Sequence, residues 1–187
     1  MSGISADSPE LAKGYGGIAK ALHWLIAALL LAQYLIAWFM PHIGRNTPNT
    51  GLVNLHLSFG ALIFFVVVAR WLWRLTHPVP SMRELTRWQR TLSWVTHISI
   101  YAVLLIMPLM GWANAGFRGY EVSLFNLIPL PALVAKGSAF GRALGDIHAL
   151  VAWYFLAVIG LHIVTALYHR FVLRDAVMAR MLPLDRQ

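Results

Sequence analysis

The 187-residue chain contains no cysteine. Disulfides, thiolate metal sites, iron–sulfur clusters and thiol catalysis are therefore excluded as chemistry of this chain alone. Acidic residues are scarce as well, with seven Asp and Glu against fifteen Lys and Arg, for a formal net charge of +8. Charged residues of either sign make up only 12% of the chain, about half the share usual in soluble domains. A basic soluble protein would raise the question of nucleic acid. Here no DNA- or RNA-binding motif is present, and the basic residues flank apolar runs, as they do in proteins that cross a bilayer. The expected partner is the lipid bilayer, and no nucleic-acid partner is expected.

What the chain has in abundance is apolar sequence. Hydrophobic residues account for 59% and mean hydropathy is +0.64, above the roughly 45–50% apolar content of soluble domains. Four apolar runs are long enough to span a membrane as helices. They cover about 18–40, 52–75, 89–115 and 146–172, in one compact domain. The first connection, around His42 to Asn49, is marked by Gly, Pro and Asn. In the second, residues 76–88, Pro78 and Pro80 forbid helix continuation. Pro108 falls inside the third span, where a kink is tolerated. The longest connection is 116–145. Its stretch VSLFNLIPLPALVAKGSAFGRALG reads as a short interfacial segment broken at Pro129 and Pro131. The polar opening, residues 1–16, carries no adjoining cleavage signature. The first apolar run is too long for a signal-peptide core, so it reads as a retained span.

Four spans put both termini on one side. The N-terminal tail, the second connection and the C-terminal tail, with the span ends beside them, hold Lys13, Lys20, Arg70, Arg74, Arg83, Arg87, Arg90, Arg170, Arg174, Arg180 and Arg186. The other two connections hold Arg45, Arg118, Lys136 and Arg142. Eleven against four is a positive-inside bias that predicts cytoplasmic termini.

The fourth span carries three histidines. His148 and His162 are 14 residues apart, a rise of about 21 Å that returns the side chain to within about 40° of its starting direction. They fall on one stripe, near the two sides of a hydrocarbon core about 30 Å thick. His169 continues the stripe toward the surface. By depth, His56 at the outer start of the second span pairs with His148. His23 at the cytoplasmic start of the first span pairs with His162. Two bis-histidine centres, one per leaflet, follow from spacing and topology. The chemistry fits haem b, since two imidazoles fill both axial positions of an iron suited to electron transfer. Zinc would want further ligands, and no Cys or carboxylate accompanies these pairs. The alternative is that each histidine is an interhelical hydrogen-bond partner.

His97 enters the third span on the cytoplasmic side. It either replaces His23 or His162 as a ligand or hydrogen-bonds a propionate, a quinone or a neighbouring helix. His42 and His77 lie in connections and read as solvated. Gly60 and Gly160 suit either the approach of a flat macrocycle or plain helix packing. Arg70 and Arg74 serve either as propionate partners or as topological anchors. Trp24, Trp38, Trp71, Trp73, Trp88, Trp94 and Trp112 lie near span ends, as interfacial belts do.

The stretches ALHWLIAALL, NLHLSFG through ARWLWRLTHP, IYAVLLIMPLMGW and IHALVAWYFLAVIGLHIVTALYHRF resemble the bacterial cytochrome b561 family, above all its small four-helix dihaem members. The resemblance covers residues 17 to 183. It implies an all-α membrane protein, a four-transmembrane-helix bundle holding two haem b groups in the bacterial inner membrane. The haem domain would run 17–174, with a basic tail at 175–187. The implied iron ligands are His23, His56, His148 and His162, in agreement with the depth pairing. One such member passes electrons from superoxide at the outer face to ubiquinone at the inner face, and its quinone-contacting histidine matches His169. The sequence departs from that member around 119–145, where the outer donor, superoxide or a protein, would act. Arg118, Lys136 and Arg142 there are offset by Glu121 and Asp146, leaving about +1, a weak steering field.

Three functions are thus open: a superoxide:quinone oxidoreductase, a cytochrome b membrane-anchor subunit of a larger dehydrogenase or hydrogenase, and a haem-free membrane protein with structural histidines.

Overall fold

A computed structural model describes residues 15–44, 47–78, 86–175 and 177–182. Of the basic residues used above for orientation, Lys13, Arg45, Arg83 and Arg186 lie outside the described residues, as do Pro80 and most of the two tails. Among the described residues four long helices form: α1 (Gly17–Phe39), α2 (Gly51–Thr76), α3 (Arg87–Arg118) and α4 (Ala139–Tyr168). Each is long and apolar enough to cross a membrane. Few of their residues are buried inside the protein, and Leu31, Leu35, Trp38, Leu150 and Val164 point outward. That is the arrangement lipid requires, because a spanning helix satisfies its own backbone and needs apolar side chains all round.

The helices stop where local chemistry directs. α3 ends at Gly119, which adopts φ +75° and returns its N–H to the carbonyls of Ala115 and Gly116, an αL C-terminal turn that glycine makes without strain. At the start of α3 the Gln89 side chain reaches back to accept the Thr86 N–H at 3.0 Å. α4 begins at Ala139, ahead of the apolar run near Asp146, because Ser138 caps it by accepting the Gly141 N–H at 3.3 Å. Pro108 lies within α3 without ending it.

The connection between α3 and α4 differs from the expected interfacial segment. Val122–Leu124 (β1) and Ile128–Leu130 (β2) pair antiparallel, with Ser123 opposite Pro129. A proline is tolerated in so short an edge strand because one side needs no ladder donor. Phe125 and Asn126 take positive φ values of 52° and 60° to close the turn. Left-handed backbone is costly for Phe, and Ser58 of α2 holds it. The Ser58 hydroxyl accepts the Phe125 N–H at 3.2 Å and donates to the Ser123 carbonyl at 2.9 Å. Trp112, expected at an interfacial belt, is instead buried. It donates to the Pro131 carbonyl at 3.1 Å and packs with Ala61, Ala115 and Val122 beneath the hairpin. α3 and α4 approach closely where Gly141 faces the Ala113 carbonyl, and Gly116 lets Val134 of the connection pack against α3.

The main core lies midway along the bundle. Ile26 and Leu29 of α1, Ile63 and Val67 of α2, Leu104 of α3 and Phe155 of α4 form one cluster. Phe155 is 1% exposed and stands seven residues from both His148 and His162 in the sequence. An apolar plug therefore separates the two histidine levels.

Candidate functional site

The bundle brings the intramembrane histidines together two by two. His56 of α2 faces His148 of α4, with ring centroids 6.2 Å apart and planes at 81°. His23 of α1 faces His162 of α4 at 6.4 Å and 65°. An imidazole nitrogen lies about 2 Å from a metal it binds, and the ring centre about 1.1 Å behind it, so rings on opposite sides of one metal have centres about 6.3 Å apart. Both pairs meet that spacing. His97 lies nearer to His162, at 5.5 Å and 89°, short of the separation of two rings on opposite sides of one metal. Its Nδ1 is 2.6 Å from the Ser93 carbonyl of its own helix.

Around His56 and His148 is a narrow apolar cleft, partly open to the surroundings, lined by both rings and by Leu30, Tyr34, Val103 and Gly111 among others. His148 Nδ1 is 3.0 Å from the Met107 carbonyl. A carbonyl can only accept, so Nδ1 carries the proton and the Nε2 lone pair is left for a metal. Gln33 Nε2 donates to the His56 carbonyl at 3.1 Å and lies 3.3 Å from His56 Nε2, while His56 Nδ1 and Gln33 Oε1 are buried without a hydrogen-bond partner among the described residues. Gly111 leaves room for the His148 ring: a Cβ there would lie 3.1 Å from its Cε1. At Gly160, beside His162, a Cβ would meet nothing within 4 Å, and at Gly60 only Gln33 at 3.6 Å.

Among the described residues no three His, Cys, Asp or Glu are grouped to hold a metal ion. A zinc site built from three or four protein ligands is thus unsupported. The donor set, two imidazoles per site across an apolar slot, fits a metal that arrives with its own equatorial ligands. Haem is that group.

At the end of the bundle where α1 begins, Arg70 is buried and donates to the Ala19 carbonyl at 2.5 Å. Trp24 and Lys20 hold the C-terminal segment by donating to the carbonyls of Met181 and Leu182, each at 2.9 Å. Tyr15, Arg70, Arg74, His77 and Tyr101 share a smaller pocket there. His77 is exposed and stacks on Trp73 at 3.8 Å. At the opposite end of the bundle Arg118 is occupied with scaffold contacts, donating to Asn114 at 3.0 Å and to the Gly44 carbonyl at 3.2 Å.

His169 ends α4, but it is buried, at 7% exposure, rather than lying open on the surface. Its Nδ1 is 2.6 Å from Asp175 Oδ2. Sequence reading passed over Asp175, Gly111, Gln33 and the Met107 carbonyl. For Asp175 a signal existed: an acid among seven in the whole chain, six residues after a histidine.

Comparison with known proteins shows the family. Residues 14–184 match the family described as prokaryotic cytochrome b561. Cytochrome b561 homolog 2 of Escherichia coli (strain K12) is 27% identical over 175 residues, covering 90% of each chain. A protein of Yersinia pestis named probable superoxide oxidase CybB is 29% identical over 178 residues, covering 93% of this chain and 98% of its own. Cytochrome b562 of Cereibacter sphaeroides is 25% identical over 174 residues. With the match spanning nearly the whole chain, and with four membrane-spanning helices carrying it, this protein belongs to the prokaryotic cytochrome b561 family of haem b-binding bacterial membrane proteins that transfer electrons across the bilayer.

Proposed function

We propose that the chain holds two haem b groups, one between His56 and His148 and one between His23 and His162, and that it oxidises superoxide at the outer face while reducing ubiquinone at the inner face. The observation that carries the two-haem reading is the pair of matched separations, 6.2 and 6.4 Å. Both sit on one stripe of α4, about 21 Å apart along the helix. Haem supplies a one-electron iron centre with both axial positions filled, suited to electron transfer rather than oxygen binding.

The protein's own residues do the rest. Met107 fixes the His148 tautomer, and the Phe155 plug excludes water between the two levels. Arg70 and Arg74 offer cations at the inner level for the haem carboxylates. The excess of basic residues at one end orients both termini to the cytoplasm. His169 makes the inner quinone contact. The net reaction balances: two superoxide anions each lose one electron and leave as dioxygen, while one quinone takes both electrons and two protons to become quinol. The superoxide assignment follows the name of the Yersinia relative.

The test is optical. Purified oxidised protein is given a superoxide source and a ubiquinone analogue, with and without superoxide dismutase. Fast haem reduction with quinol accumulating, both abolished by the dismutase, is the expected result. Haems that ignore superoxide yet reduce from quinol would refute the superoxide step and favour an anchor subunit awaiting a protein donor.

A further inference from the structure

We infer that Asp175 is the positioning residue of the inner quinone site: it fixes the tautomer and aim of His169, so that His169 Nε2 serves as the proton-transfer atom toward the quinone oxygen. The inference rests on the proposed quinone contact at His169.

Four observations carry it. The helix does not simply fray after Tyr168 but widens into a π-turn, His169–Leu173. Such turns are rare and recur at functional sites. Arg174 then takes φ +55°, left-handed backbone that a non-glycine residue adopts at a cost. That reversal swings Asp175 back over the helix end. There its N–H donates to the His169 carbonyl at 3.2 Å and its Oδ2 meets His169 Nδ1 at 2.6 Å. Finally, the other carboxylate oxygen is held in its turn, accepting the Val177 N–H at 3.0 Å. The carboxylate is clamped at both oxygens against a buried imidazole.

A carboxylate is an acceptor, so Nδ1 must carry a proton. Nε2 is then the ring atom left to take up and pass on a proton, seven residues beyond His162 in the chain. In quinone reduction, Nε2 takes a proton from cytoplasmic water and gives it to the quinone oxygen as electrons arrive, returning the imidazole to its neutral Nδ1–H form. The second proton of the quinol comes from the same water. Two electrons and two protons enter, and quinol leaves. Nδ1–H stays with Asp175 throughout. The arrangement has the logic of a histidine whose second nitrogen is oriented by an acid.

The experiment uses the full-length haem-loaded protein and a ubiquinol analogue as probe, reading reduction of the haem bands by stopped flow. It compares wild type, Asp175→Asn, Asp175→Glu and His169→Gln, with haem content measured for each. Asp175→Asn is expected to keep both haems, to lower the limiting rate on the order of a hundredfold, and to leave the half-saturating quinol concentration nearly unchanged. Asp175→Glu should restore most of the rate. In the His169→Gln background, Asp175→Asn should have no further effect. Wild-type rates in Asp175→Asn, or a loss of haem in that variant with unaltered turnover per remaining haem, would overturn the inference and make Asp175 a structural tie. If Asp175→Asn does not assemble, Asp175→Glu decides: full haem content with a rate as low as His169→Gln would also overturn it. Failure of wild type itself to exchange electrons with quinol would refute the quinone reading, a result separate from any effect at Asp175.

Discussion

Gly111 and His148 touch across the α3–α4 interface. A Cβ placed on Gly111 would lie 3.1 Å from His148 Cε1 and 3.3 Å from Nδ1. Since the ring is also held to the Met107 carbonyl four residues earlier on α3, this short stretch of α3 sets where the outer imidazole stands. Gly111→Ala should therefore disturb the outer haem alone. Expected are a shifted or broadened outer haem spectrum and reduced outer occupancy with the inner haem intact. Absorbance at low temperature, which separates the two centres, checks it.

Ser58 is fully buried and satisfies both strands of the outer hairpin. Ser58→Ala leaves the Phe125 N–H and the Ser123 carbonyl without that partner, at a cost of about 1–3 kcal/mol for the unsatisfied groups. Local opening should follow, because the hairpin has only three residues per strand. Limited proteolysis at the 125–127 turn should speed up severalfold, while haem content at the inner pair stays constant.

Phe155→Ala removes the plug between the two levels. Loss of a buried aromatic costs on the order of 3–5 kcal/mol through the cavity left behind. The midpoint of thermal haem release should fall by several degrees with all four paired histidines unchanged. A midpoint equal to wild type would show that the cluster of Ile26, Leu29, Ile63, Val67 and Leu104 collapses into the space.

His97→Ala should retain both haems, because His97 stands too close to His162 to face it across a metal, whereas His23 stands at the fitting separation. Loss of the inner haem in this variant, with His23→Ala retaining it, would transfer the inner ligand from His23 to His97.

Much of the site was legible because membrane sequence is physically simple. Four long apolar runs have one solution, helices, and depth along them is nearly linear in residue number. The approach of His56 to His148 and of His23 to His162 follows from that alone. What depth does not encode is azimuth and short-range polar chemistry. Azimuth is what separates His97 from His23, two histidines at a similar level. The hairpin escaped notice because its strands are only three residues long. A serine on another helix stabilises it, and sequence alternation does not reveal that. The early start of α4 depends on one hydroxyl, Ser138, and Trp112 was misplaced because a tryptophan near a span end serves equally as belt or core. Asp175 reaches His169 through a left-handed Arg174, a conformation that no residue pattern announces.

The most direct measurement is the number of haems per chain, counted by pyridine haemochrome in the purified protein and in two variants, His148→Ala and His162→Ala. Two haems in wild type are expected. Each variant should keep one, the inner in His148→Ala and the outer in His162→Ala. One haem in wild type, or loss of the same haem in both variants, would contradict the assignment of one centre to each pair.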